Sequence, residues 1–104
     1  MIKFIFAIMC NYMPCEHAEI VTKQAVLETG WFKSDAFMNK CNPFGLSYKG
    51  EILEFESVEQ ACEAYTTQIY SRYSSGDYYK FLVNMNYAED PDYIWKLKHI
   101  DLDI

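Results

Sequence analysis

Apolar residues at positions 2, 5, 6, 9 and 13 recur at helical spacing and predict an opening helix, closed by Asn11 to Pro14. Pro14 and Glu16 then open a second helix over roughly 16–29, with Val21 and Ala25 on its inner face. Ser34 to Lys40 reads as one or two helical turns with Ala36, Phe37 and Met38 inward, and Cys41-Asn-Pro-Phe-Gly45 as a turn. Leu46 to Phe55 alternates about Lys49-Gly50, the one hairpin signal in the chain. A two-residue turn there pairs Tyr48 with Glu51 and Leu46 with Leu53, and puts Ser47, Ile52 and Glu54 on the other face.

Ser57-Val-Glu-Gln60 is a capping box, and the helix it starts carries Val58, Ala61, Cys62, Tyr65 and Ile69 on one stripe. After the loop Ser74-Ser-Gly-Asp77, in which Asp77 caps, Tyr78, Phe81, Leu82 and Met85 form another helical stripe. Asp90-Pro91 reads as an N-cap and first-turn proline of a last helix with Tyr93, Ile94, Leu97 and Ile100 inward. About five helices around one hairpin make an α+β architecture that is mainly helical.

At 104 residues, half of them hydrophobic, the chain suits one domain over 1–104 with a core that needs no metal. A net charge of −6, with no basic cluster beyond Lys96-Leu-Lys98, argues against nucleic acid or an anionic membrane as partner. Cysteines 10, 15, 41 and 62 lack zinc spacing, and Cys62 falls on the apolar stripe of its helix. No metal or cofactor is expected. The first ten residues are at the short limit of a secretion leader, lack a cleavage site, and are taken as part of the fold. They are too short to span a membrane. Synthesis in the cytoplasm, with a holin, virion or export partner supplying delivery, follows as the expectation. Nine Tyr among the 17% aromatic residues suit sugar recognition as well as a core, because the ring stacks while the hydroxyl hydrogen-bonds.

One stretch stands apart. Glu28 ends the second helix beside Gln24 and Ala25, and Thr29-Gly30 breaks the pattern before Trp31 and Phe32. A carboxyl at the end of a half-apolar helix next to an indole is partly desolvated, which raises its pKa as a general acid requires. The spacing alone fits an ordinary solvated glutamate better, since such residues are common near helix ends.

Gln24-Ala-Val-Leu-Glu-Thr-Gly-Trp31 with Lys33-Ser34 resembles the helix-end motif A-Q-A-x-L-E-[ST]-G-W-G-K-S of glycoside hydrolase family 73, the bacterial and phage glucosaminidases. Asn42-Pro-Phe-Gly-Leu46 is similar to that family's N-N-L-F-G-[IL], and Phe55-Glu-Ser57 to its [YF]-x-S. Gly76 to Leu82 and Tyr87-Ala-Glu-Asp-Pro-Asp-Tyr93 with Lys96-Leu97 resemble its closing block, in a form like Bacteroidetes and phage versions. The ordered blocks span about residues 18–100.

The resemblance implies a lysozyme-like fold and cleavage of the β-1,4 bond between N-acetylglucosamine and N-acetylmuramic acid in peptidoglycan, as an endolysin does. It puts Glu28 at the catalytic acid, Tyr87 beside the scissile sugar to stabilise its developing positive charge, and Trp31, Asn42, Phe44 and Gly45 along the cleft. Cys41, Pro43 and Phe32 depart from the family pattern, which has a small residue after the tryptophan. An inverting hydrolase needs a second carboxylate ~6.5–9.5 Å from the acid. Glu51 and Glu54 on the hairpin are the candidates. Without one, the substrate's acetamido group or, as in lytic transglycosylases, the muramic 6-hydroxyl takes that role. Two other classes compete: a lysozyme-like structural or binding module that has lost turnover, and a cytoplasmic toxin or immunity-type protein, which leaves the motif blocks unexplained.

Overall fold

The computed structural model describes all residues, Met1–Ile104. Six α-helices, one 3₁₀ turn and one two-stranded antiparallel sheet follow in the order α1 (Ile2–Cys10), α2 (Cys15–Thr29), α3 (Asp35–Lys40), β1 (Ser47–Tyr48), β2 (Glu51–Ile52), α4 (Val58–Gln68), the 3₁₀ turn Tyr70–Arg72, α5 (Tyr78–Asn84) and α6 (Tyr93–Lys98). The mainly helical α+β expectation holds.

Helix α2 is the organising element and packs against α1, α5 and α6, while α1 also reaches α4. Ala18, Val21 and Ala25 of α2 meet Ile5 and Met9 of α1, Tyr65 of α4, Leu82 of α5 and Leu97 of α6 in one cluster of 16 buried apolar residues. Fully burying each large side chain contributes roughly 1.5–3 kcal/mol. Cys10 and Cys15 are joined as a disulfide across the α1–α2 connection. Cys62 is fully buried, as its stripe requires, and is free, as is half-buried Cys41.

Local signals explain most boundaries. Ser57 accepts from the Gln60 N–H, and the Gln60 carbonyl oxygen accepts from the Glu56 N–H, so the box closes one residue earlier than its usual form. Asp77 caps α5 by accepting from the Tyr79 N–H. The hairpin register is Tyr48 opposite Glu51 and Ser47 opposite Ile52, with the Leu53 N–H donating to the Leu46 carbonyl. Lys49 and Gly50 both take positive φ (51° and 82°), the conformation of a type I′ turn.

Two expectations are corrected. In α3 no residue is buried, and Met38 is 68% exposed. Three consecutive residues sweep most of a helical turn and cannot all face inward. Helix α6 starts at Tyr93 rather than at Pro91. Asp90 still caps the entry by accepting from the Asp92 N–H, within a turn that its salt bridge to Lys96 reinforces.

Candidate active site

Two helix ends meet here, and both are fixed by backbone chemistry. Helix α2 closes in a Schellman motif: the Gly30 N–H donates to the Leu27 carbonyl, the Trp31 N–H donates to that of Val26, and Gly30 is left-handed at φ 58°. This leaves Glu28 in the final turn. Helix α5 ends the same way, with Asn86 at φ 55°, its N–H donating to Val83 and that of Tyr87 donating to Leu82. Asn is among the few residues that tolerate this conformation. The residue just past that stop is Tyr87.

The turn before the hairpin supplies the third wall. Asn42 is buried and saturated: its Nδ2 donates to the carbonyls of Leu46 and Leu53 at 2.9 Å each, and its Oδ1 accepts from the Leu46 N–H at 3.1 Å. This clamp shapes the reversal that carries Gly45. The Phe44 ring is 1% exposed and packs on Tyr65 at 4.8 Å, while the Phe44 carbonyl accepts from the Tyr87 hydroxyl at 3.0 Å. Gly45 has φ 65°, and a Cβ there would lie 3.2 Å from Glu28 Oε2. Glycine is favoured twice over, by conformation and by the close approach of the carboxylate.

Between these elements lies an open cleft of about 500 Å³, lined by Glu28, Gly45, Arg72, Tyr87 and Glu89 among others. Glu28 is exposed at the cleft mouth, with the surrounding protein screening part of its carboxyl from water. That desolvation raises its pKa above the ordinary carboxylate value, and the proximity of the Tyr93 hydroxyl partly offsets the rise. Burial pushes the phenols of Tyr87 and Tyr93 up, and the adjacent Glu28 carboxylate adds to both shifts. Tyr87 and Tyr93 stack at 5.9 Å with their planes 21° apart. No group of three or more His, Cys, Asp or Glu side chains is arranged to hold a metal ion.

The structure brings Glu28, Phe44, Gly45 and Tyr87 together on one cleft and leaves Trp31, Asn42, Glu51 and Glu54 off its lining. Trp31 lines a different hollow, with Phe32, residues 1–3 and residues 102–104. The left-handed run Gly30, Trp31 and Phe32 (φ 58°, 62° and 66°) carries the indole to that hollow and off the cleft lining. Asn42 spends its polar side-chain atoms on the fold behind the wall, while Phe44 lines the cleft with its ring buried against Tyr65. Glu51 and Glu54 are exposed on the hairpin and do not line the cleft, because two-residue strands are too short to bring that lobe over the acid.

Sequence reasoning missed four residues. Glu89 and Arg72 line the cleft, and Gln24 and Tyr93 are hydrogen-bonded to each other at 3.1 Å. Glu89 lies two residues beyond Tyr87, inside a block already singled out, so adjacency was the available signal. The Gln24–Tyr93 pair is 69 residues apart and leaves no local trace.

Among curated proteins and among solved structures, no match to the chain was found. The Glucosaminidase family profile, described as mannosyl-glycoprotein endo-beta-N-acetylglucosaminidase, matches residues 16–101, from the first turn of α2 past the end of α6. That match spans all the cleft-lining elements and agrees with the mainly helical architecture expected of a lysozyme-like domain. With four-fifths of its length inside the match, the chain belongs to the glucosaminidase family of glycosidases.

Proposed function

We propose that the protein is a peptidoglycan hydrolase that cleaves the β-1,4 bond between N-acetylglucosamine and N-acetylmuramic acid, with Glu28 as general acid. The observation that carries this reading is Glu28 itself: a carboxyl of raised pKa facing an open cleft of about 500 Å³ from a rigidly terminated helix. A raised pKa favours the protonated form that a general acid needs, and the open mouth suits a polymer bound along its length.

In this mechanism Glu28 protonates the glycosidic oxygen as the bond to the anomeric carbon breaks. The Tyr87 hydroxyl gives its proton to the Phe44 carbonyl, so its oxygen keeps lone pairs for the positive charge that develops on the sugar. Glu89 is the other carboxylate on the cleft and takes the water-activating role first sought on the hairpin. Arg72 supplies the cleft's positive charge. Delivery to the cell wall by a holin, virion or export partner remains part of the proposal, and no helix is long and apolar enough to cross a membrane.

Digestion of purified sacculi by the wild type and by Glu28→Gln tests the reading. General acid catalysis contributes roughly 10²–10⁴-fold, so the Gln variant should release no detectable muropeptides. A folded Gln variant with full activity would overturn the assignment. Mass analysis of the released ends names the bond, and hydrolysis adds one water where attack by the muramic 6-hydroxyl adds none. Wild-type protein that binds sacculi and releases nothing would make the chain a binding module.

A further inference from the structure

Three phenols and one amide link the core to the cleft by hydrogen bonds. The Tyr65 hydroxyl donates to Gln24 Oε1, so the Tyr78 hydroxyl, 2.7 Å from that of Tyr65, must be the donor between the two. On its other side Gln24 donates through Nε2 to the Tyr93 hydroxyl oxygen at 3.1 Å. Tyr93 then has its own proton left, and the nearby Glu28 carboxyl, one helical turn along α2 from Gln24, is the charged group it can turn to, although the two do not form a direct hydrogen bond in this structure. Gln24 is fully buried, Tyr65 likewise, and every buried side-chain polar atom in the protein has a partner. Gln24 and Glu28 stand one helical turn apart on the same face of α2, and Tyr93 on α6 is bonded to the first and lies near the second.

A buried amide cannot rotate freely once both its ends are engaged. Its carbonyl end is fixed by Tyr65, which obliges its NH₂ end to face Tyr93. A hydroxyl that accepts from an amide can direct its single proton only elsewhere. We propose that Gln24 and Tyr93 are positioning residues for the glycosidase reaction: the one-way hydrogen-bond chain Tyr78–Tyr65–Gln24–Tyr93 aims the Tyr93 hydroxyl at Glu28, fixing the orientation and proton affinity of the acid. This rests on the reading of Glu28 as the acid.

The other groups facing Glu28 are Tyr87, Arg72 and Glu89 around the cleft, with uncharged Gly45 at the carboxylate. None of these changes in the variants below, so they cancel from the comparison. Tyr93→Phe keeps the ring that stacks on Tyr87 and removes only the hydroxyl. Gln24→Met keeps the approximate volume and removes the amide that orients Tyr93.

The primary measurement is a carbon-detected NMR titration of the Glu28 side-chain carboxyl in wild type and both variants. It reads proton affinity in the folded protein without any need for turnover. Removing the donor to the charged form should move the Glu28 midpoint upward in Tyr93→Phe and upward by less in Gln24→Met. The alkaline limb of the kcat/KM profile on soluble glycan should move the same way, and its plateau should fall roughly 10- to 100-fold in Tyr93→Phe from loss of orientation. A purely structural role would lower the melting temperature and leave both midpoints where they are. An unmoved Glu28 midpoint in folded Tyr93→Phe overturns the proposal. Should that variant fail to fold, an unmoved midpoint in Gln24→Met does so. If Glu28→Gln retains activity the acid is elsewhere, yet the carboxyl titration still reports whether the chain acts on Glu28.

Discussion

Gly45→Ala perturbs the acid through one methyl group. The residue sits at φ 65°, where a side chain costs roughly 1–2 kcal/mol. For a domain of this size each kcal/mol moves the melting temperature by about 4–8 °C, so a fall of roughly 4–16 °C is expected. The new Cβ would lie 3.2 Å from Glu28 Oε2, tighter than ordinary contact, and the carboxylate must yield by a few tenths of an ångström. If 1 Å of misplacement costs about 10²-fold, a shift of that size lowers turnover about three- to fivefold. Gly50→Ala is the control, because Gly50 has φ 82° and nothing within 4 Å of the added carbon. It should lose comparable stability while its turnover below the melting transition stays at wild type. The assay is release of reducing ends from soluble glycan well below both transitions. Equal turnover in the two alanine variants would refute the claim that Gly45 is kept small for the Glu28 carboxylate.

Three further outcomes are expected. Because the folded state raises the Glu28 pKa, the native protein holds this proton more tightly than the unfolded chain, and stability is lost as pH rises from the unfolded value through the folded one. Glu28→Gln removes that loss, so its melting temperature relative to wild type should be higher at pH 7 than at pH 4; an unchanged difference would count against the shift. Tyr87→Phe should cost about 1 kcal/mol, the worth of one hydrogen bond to the Phe44 carbonyl, and lower kcat more than it changes KM. Unchanged kcat in that variant would return Tyr87 to a packing role. Burial pushes the Cys62 thiol up to about 12, so a thiol reagent should modify Cys41 in the native protein and reach Cys62 only on unfolding, with equal rates the contrary result.

What was legible in the sequence is what local chemistry decides. The Ser57 cap, the apolar stripe ending at Ile69 and the Lys49-Gly50 turn each act within a few residues, and the structure reproduces them. Glu28 was placed at a helix end for the same reason. The direction of Trp31 depends on three successive left-handed residues, two of them bulky, and no propensity predicts that run. Its last member is Phe32, where the resembled motif has glycine, so that departure falls where a small residue is conformationally easiest. The cleft itself arises where residues 28, 45, 72, 87 and 89 converge, and the chain that orients Glu28 links residues 24, 65, 78 and 93. Long-range partners of this kind cannot be read from spacing. Asn42 was visible as a turn residue, but only its two carbonyl partners reveal that its amide is fully committed to the fold.

The paired Schellman stops have a consequence for how this scaffold can vary. A helix without a defined end can lengthen or shorten by a residue as its surroundings change, and each such slip rotates its last side chain by about 100°. Gly30 and Asn86 remove that freedom at the two places where it would matter, since they settle where α2 and α5 stop by backbone bonds alone. Substitutions deep in the bundle can therefore alter how tightly the helices pack without changing which residue emerges at the cleft. Volume-conserving swaps in the packed interior of α1 should be tolerated better than any substitution at Gly30 or Asn86. A deep substitution scan scored by sacculus clearing would show intolerant spots at Gly30 and Asn86, far apart in sequence but each close along the chain to a cleft-lining residue, Glu28 or Tyr87.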